Sequence, residues 1–270
     1  MKRITSPHNP LVKYYWKLLQ GKIKAEDNNF KLPLEGFNLL EEAIRNGFPV
    51  DYIIYCPEKL EGGTINLLQE ELPADTQLVE APASLLNKLS LTENPQGVVG
   101  VVDYPAYSWK EMEEATSPLW VLVDKIQDPG NLGTIIRTAA AAGFSSVVCA
   151  PGTVFPFNPK VLRSSSGSIF HLKVGKVNSA AEFLQELKEH HRVKVVAAEL
   201  RGAEGYFQAD LTPPIALIMG NERSGISGEF LALADVKVCI PQEEKVDSLN
   251  AAVAAGIIMF EIRRQWINRP

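Results

Sequence analysis

The sequence predicts an α/β protein of two domains, on three observations. Short apolar runs rich in Val, Ile and Leu alternate with helical segments along nearly the whole chain. The runs after residue 118 are stronger and more β-branched than those before it. Between the two sets, residues 105–118 carry two prolines and mixed charge, as a linker does. The expected division is therefore 1–104 for a small α/β domain, 105–118 for the linker and 119–270 for a larger domain with a mostly parallel sheet. A chain of 270 residues, 46% apolar, is long enough for two ordinary cores.

The elements follow in order. Residues 11–24 carry Leu11, Tyr14, Tyr15, Leu18 and Leu19 at helical spacing, behind the turn-rich entry Ser6-Pro7-His8-Asn9-Pro10. Alternation then predicts strands at 31–34, 52–56, 77–80 and 98–103, with helices at 38–45, 65–71 and 83–89. Beyond the linker, strands are expected at 119–123, 146–150, 173–177, 194–198, 215–219 and 236–240. Helices are expected at 135–142, 160–166, 180–190 and 228–234, and a long alanine-rich helix at 249–265 closes the chain.

Three polar loops stand out, each at the carboxyl end of a predicted strand of the larger domain. They follow residues 119–123, 215–219 and 236–240, and in an open α/β sheet such loops form one ligand site. The first reads Asp124-Lys125-Ile126-Gln127-Asp128-Pro129-Gly130-Asn131-Leu132-Gly133 before an alanine-rich helix. Gly130 and Gly133 supply only two of the three glycines that a dinucleotide fingerprint needs. No phosphate loop ending in glycine-lysine-serine or threonine is present, and Ser164-Ser165-Ser166-Gly167-Ser168 lacks the flanking glycine of a hydrolase elbow. Cys56, Cys149 and Cys239 are far apart with no zinc-site spacing, and His8, His171, His190 and His191 add no metal constellation. These absences weaken dehydrogenase, nucleotide triphosphatase, esterase and metal readings.

Charge is uneven. Residues 1–31 carry Lys2, Arg3, Lys13, Lys17, Lys22, Lys24 and Lys31 against Glu26 and Asp27, a local balance of +5 in a chain of net charge −5. Such an arm suits phosphate steering, with Lys13, Lys17 and Lys24 as the candidate contacts, and it equally suits an ordinary solvated helix face. No run of about 18 apolar residues occurs, and Met1-Lys2-Arg3-Ile4-Thr5 turns polar too soon for a secretory signal, so a cytoplasmic location is expected.

The motifs converge on one resemblance. Asn131-Leu132-Gly133 with Arg137 is similar to the first motif of the SpoU/TrmH class of RNA ribose methyltransferases, which share the SPOUT trefoil-knot fold. Met219-Gly220-Asn221-Glu222 with Gly225-Ile226 resembles the second motif, and Ile240-Pro241 with Ser248-Leu249-Asn250-Ala251-Ala252-Val253-Ala254 resembles the third. Ser6 to Lys13, Glu35-Gly36 and Glu41-Glu42-Ala43 look like the substrate-binding domain with the ribosomal protein L30e fold that precedes the catalytic domain in many members. Residues 163–170 match a family stretch by type. Lys24 where relatives often carry arginine, Arg223 where glycine is common and Ala252 for a frequent serine depart from the pattern.

The resemblance implies transfer of a methyl group from S-adenosylmethionine to a ribose 2′-hydroxyl of RNA. Ribosomal RNA of the large subunit is the expected substrate, with transfer RNA or a non-catalytic RNA-binding protein as the alternatives. It implies catalytic roles for Asn131, Arg137, Glu222, Ser248 and Asn250 and a cofactor pocket from Met219, Gly220, Ile240, Pro241 and Leu249. It also implies a knotted last helix and a homodimer through the catalytic domain; no metal is expected, from the cysteine and histidine spacing above. Read from the residues alone, Asn131 and Ser248 suit helix caps, and Glu222 suits an ion pair with Arg223 or Lys245. Asn250 falls inside the start of the last helix, where it is a poor helix former. Tyr14 and Tyr15 fit a core, which leaves Trp16 as the aromatic open to stacking on bases.

Overall fold

A computed structural model describes residues 2–26, 28–60, 72, 76–114, 117–200, 203–243 and 248–268. The chain forms two compact units, one of residues 1–106 with 157–170 and one of residues 107–156 with 171–270. The predicted helix at 65–71 and Lys245 lie outside the described residues.

The first unit is built on a mixed six-stranded sheet of β1 (Lys2–Arg3), β2 (Ala25–Glu26), β3 (Asn29–Glu35), β4 (Val50–Tyr55), β5 (Gln77–Glu80) and β6 (Val98–Pro105), in the order β1-β5-β4-β6-β3-β2. Helices α1 (Pro10–Leu19), α2 (Phe37–Arg45) and α3 (Ala83–Leu89) bury Tyr15, Leu40 and Leu86 against Leu32, Leu34, Ile53 and Ile54. Helix α1 is shorter than its apolar spacing predicts. It ends at Leu19, and Gly21 turns the chain at φ 77°, so Lys24 lies beyond the helix rather than on a face shared with Lys13 and Lys17. Lys31 also leaves the basic arm, because Asp51 holds it at 2.8 Å and Asp103 at 2.5 Å. Residues 157–170 join this unit through Phe157, which packs on Phe30 and Tyr104, and through Phe170 against Phe48.

The second unit holds seven strands, all paired in parallel: β7 (Leu119–Val123), β8 (Ser146–Cys149), β9 (Lys173–Lys176), β10 (Lys194–Ala198), β11 (Glu204–Gly205), β12 (Ile215–Met219) and β13 (Val236–Cys239). Their order is β11-β13-β10-β12-β7-β8-β9. Every residue of β7, β8 and β12 is buried, which is why these strands read as unbroken apolar runs rather than alternating ones. Burial also raises the Cys149 thiol to about 12, so it is a core residue and not a nucleophile. The expected linker contains α4 (Trp109–Glu113), opened by a capping box in which Ser108 and Glu111 serve each other's backbone N–H groups.

Helix α5 (Pro129–Ala142) starts six residues earlier than the sequence predicts. Asp128 is its N-cap, Pro129 its first residue and Gly143 its left-handed terminator at φ 82°. Asn131 is therefore not the cap; it sits in the first turn. After α6 (Pro159–Ser164), α7 (Ala180–His191) and α8 (Gly228–Leu233), the last helix α9 (Ala251–Ile267) also shifts its start. Asn250 caps it, accepting from the backbone N–H groups of Ala252 and Val253, so the expectation that Ser248 caps the helix and Asn250 lies inside it is corrected.

Helices α5 and α9 lie side by side and run the same way. Asn131 bonds Asn250 at their starts, a β-carbon added at Gly256 would sit 3.6 Å from Thr138 Cγ2, and one at Gly143 would sit 3.1 Å from Arg263. Both amino termini thus point at one place beside the carboxyl ends of β7 and β12.

Candidate active site

Because all seven strands are parallel, the loops after β7, β10, β12 and β13 gather at one edge of the sheet. The sequence predicts three such loops. The fourth, after β10, enters because β10 is inserted between β12 and β13, and it brings Glu199 and Leu200 to the site. The shared signal, a polar residue at the end of a predicted strand, was present at Glu199.

These loops enclose a cleft of about 450 Å³. Met219, Gly220, Ile240 and Leu249 of the expected cofactor set line it, and so do Glu222 and Ser248 of the expected catalytic set. Pro241 is exposed and is not among the lining residues. Gln242 Oε1, buried at the cleft wall, has no hydrogen-bond donor among the described residues.

At the cleft's mouth the three sequence motifs are tied into one chain of hydrogen bonds. Asn250 Nδ2 donates to Asn131 Oδ1 at 2.9 Å, and Asn131 Nδ2 donates to Glu222 Oε1. Glu222 therefore serves Asn131 rather than pairing with Arg223, whose backbone N–H is held by Asn221 Oδ1 instead. The chain fixes the orientation of both amides. Asn250 Oδ1 is committed to two backbone donors, so its Nδ2 must face Asn131, and Asn131 Oδ1 must then face Asn250. The positive ends of the α5 and α9 dipoles meet here too, which favours a negative charge such as a phosphate or carboxylate. Arg137 is exposed on α5, about 9 Å further along the axis than Asn131 by helix rise.

Residues that the motif reading left without a role hold the second loop in shape. Asp124, 1% exposed, accepts from Ser227 N at 2.7 Å, and Lys125 Nζ donates to Ser227 Oγ at 2.8 Å. Lys125 itself is left-handed (φ 56°), and its carbonyl accepts from Asn221 Nδ2 at 3.0 Å. The start of the first motif thus clamps both ends of the 221–227 loop. That loop closes on itself through reciprocal backbone bonds between Asn221 and Gly225. Its closure sets the need for glycine at 220. An added β-carbon there would meet Gly225 C at 2.5 Å and Gly225 O at 2.6 Å, so the chain itself crowds the position.

No group of three or more His, Cys, Asp or Glu among the described residues could hold a metal ion.

Residues 118–260 match the model of the SpoU rRNA methylase family, and residues 9–100 match the MRM3-like substrate binding domain. The chain is 35% identical to the 23S rRNA (guanosine(2553)-2′-O)-methyltransferase RlmP of Bacillus subtilis, over 97% of this chain and 100% of that one. It is 30% identical to the 23S rRNA (uridine(2479)-2′-O)-methyltransferase of Streptomyces viridochromogenes, over 94% of this chain and 89% of that one. Among solved structures, the AdoMet-bound rRNA methyltransferase from Sinorhizobium meliloti matches with a TM-score of 0.83 at 31% identity, covering 97% of each chain.

Proposed function

The chain belongs to the SpoU rRNA methylase family, and from that premise we propose that it transfers a methyl group from S-adenosylmethionine to a ribose 2′-hydroxyl of large-subunit ribosomal RNA. The observation that carries the proposal is the hydrogen-bonded chain Asn250–Asn131–Glu222, which ties all three motifs together at the mouth of the cleft.

The cleft suits S-adenosylmethionine. Its volume of about 450 Å³, its apolar lining from Met219, Ile240 and Leu249 and the unsatisfied Gln242 Oε1 fit a ligand with an apolar ring system and polar edges. When bound, that cofactor supplies a methyl group activated on sulfonium. The protein's own task is to place the hydroxyl in line and ease the loss of its proton. Arg137 is assigned to the hydroxyl as a fixed cation that stabilises the developing alkoxide and grips the adjacent phosphate, with the proton leaving to phosphate or water. Arginine does not deprotonate readily enough to be the base itself. Ser248 orients the ribose, and Asn131, Glu222 and Asn250 keep the constellation rigid. In the first unit, Lys13, Lys17 and Lys24 are assigned to RNA phosphates.

The proposal extends to a homodimer through the catalytic domain, with the knotted last helix of the family, and to a cytoplasmic location. No helix among the described residues is long and apolar enough to cross a membrane. Support for the dimer comes from α9, which exposes Val253 (52%), Phe260 (51%) and Ile267 (64%). Their spacing of seven puts them on one stripe, and a second copy would cover it together with the adjoining helix that carries Arg137. Sedimentation should show a dimer at micromolar concentration, and Phe260→Glu should shift it to monomer. A native monomer would refute this part of the reading.

The function itself is tested by calorimetric titration with S-adenosylmethionine, with nicotinamide dinucleotide and ATP as controls, followed by labelled-methyl transfer to ribosomal and transfer RNA from cells lacking the protein. Binding near one per subunit and labelling of ribosomal RNA are expected. Labelling of transfer RNA alone would favour the other substrate, and binding without transfer to either would favour a non-catalytic RNA-binding protein.

A further inference from the structure

Trp16 is 42% exposed on α1, whereas its neighbour Tyr15 is fully buried and donates its hydroxyl to Leu34 O at 3.0 Å. Tyr52 donates to Leu11 O at 3.0 Å from the sheet, and Asn9 caps the helix ahead of Pro10. The helix is therefore pinned at its start and middle, and the indole stands on a rigid support. Lys13, Trp16, Lys17 and Gln20 follow at intervals of three, one and three residues, which places them within about 100° of arc on one helical face. All four are exposed, and α1 contains no acidic residue. Among the described residues neither Lys13 nor Lys17 pairs with a carboxylate, in contrast to Lys31, Lys188 and Lys194, each of which does.

A large aromatic plane between two uncompensated lysines matches what an unpaired nucleotide offers, a base face flanked by phosphates. We propose that this face of α1 is a single-strand RNA platform, on which Trp16 stacks an unpaired base of the substrate while Lys13 and Lys17 hold the flanking phosphates. The proposal rests on the RNA reading above and adds to it a preference for unpaired over duplex segments. A duplex hides its base faces inside the helix, so it gains from the lysines but not from the indole.

The two kinds of contact separate by salt. Stacking is insensitive to ionic strength, whereas each phosphate contact adds about 0.7 to the salt slope of single-strand binding. The test uses the full chain without S-adenosylmethionine, a fluorescein-labelled single-stranded oligouridylate and a blunt RNA duplex of the same length. Trp16→Ala should weaken single-strand binding by about tenfold or more, leave duplex binding within about twofold and keep the salt slope, and Trp16→Phe should retain most of the affinity. Lys13→Gln with Lys17→Gln should instead lower the salt slope for both probes. The titration with S-adenosylmethionine, run on every variant, reports the second unit separately, so failure of the methyltransferase reading shows there and not here. Absence of single-strand binding by the native chain, equal losses on both probes with Trp16→Ala, or no loss at all overturns the proposal, the last in favour of a protein partner for this face.

Discussion

Replacing Arg137 with alanine is expected to lower methyl transfer by about two to three orders of magnitude while binding of S-adenosylmethionine stays within about twofold of native. The split follows from position. Arg137 is not among the residues that line the cleft, so its loss removes nothing from the cofactor's surroundings. It does remove the one cation assigned to the charge that develops on the ribose oxygen, and such charge stabilisation acts on the rate rather than on ground-state binding. Lysine should rescue little. A guanidinium presents a planar fork that can reach oxygen and phosphate together, whereas an ammonium is a strongly hydrated point charge. Calorimetry and a single-turnover transfer assay on the same preparations check both halves. A matched loss of cofactor affinity would mean that Arg137 supports the cleft instead of the reaction.

The strands that build this site were legible to the residue where burial on both faces leaves an uninterrupted apolar run. Residues 119–123 and 215–219 are such cases. The starts of α5 and α9 were not. Gly130 and Gly133 read as turn residues, yet both lie within α5, Gly133 buried there, and the cap lies upstream at Asp128. Asn250 read as a misfit inside a helix because the boundary was set two residues early; as a cap it is well suited, and its amide nitrogen is then free to reach Asn131. The short helix at Trp109–Glu113 hid in a proline-flanked segment, although Ser108 and Glu111 carry its capping signature. The pairing of Phe157 with Phe30 and Tyr104 joins residues more than fifty positions apart, and no local pattern announces it. For the site, the motifs named Asn131, Glu222 and Asn250, but not that they bond in sequence. That order depends on where α5 and α9 begin.

A single methyl group at Gly220 should disable cofactor binding. The β-carbon of Gly220→Ala would lie 2.5 Å from Gly225 C, 2.6 Å from Gly225 O and 2.7 Å from Ile226 Cγ1. Two of these three are backbone atoms, and they cannot rotate away as a side chain can. Relief requires Gly225 to move, which breaks the reciprocal Asn221–Gly225 bonds that close the loop. Asn221 is also held by Lys125 O, and Ser227 by Asp124, so the loop cannot shift as a unit. The displacement is then absorbed between those anchors, at Glu222 and Ser224, both of which line the cleft. Moving Glu222 releases Asn131 Nδ2 as well, so the damage reaches the hydrogen-bonded chain at the cleft's mouth. Overpacking of this kind costs about 1–3 kcal/mol of stability, which a large unit can carry, and the chain should remain folded by circular dichroism. Cofactor affinity should fall by about a hundredfold or more, and transfer with it, because the strain is concentrated in the loop that forms the cleft wall. An alanine variant that binds S-adenosylmethionine normally would show that the loop opens without cost, and that the tight Asn221–Gly225 closure is not what shapes the cleft.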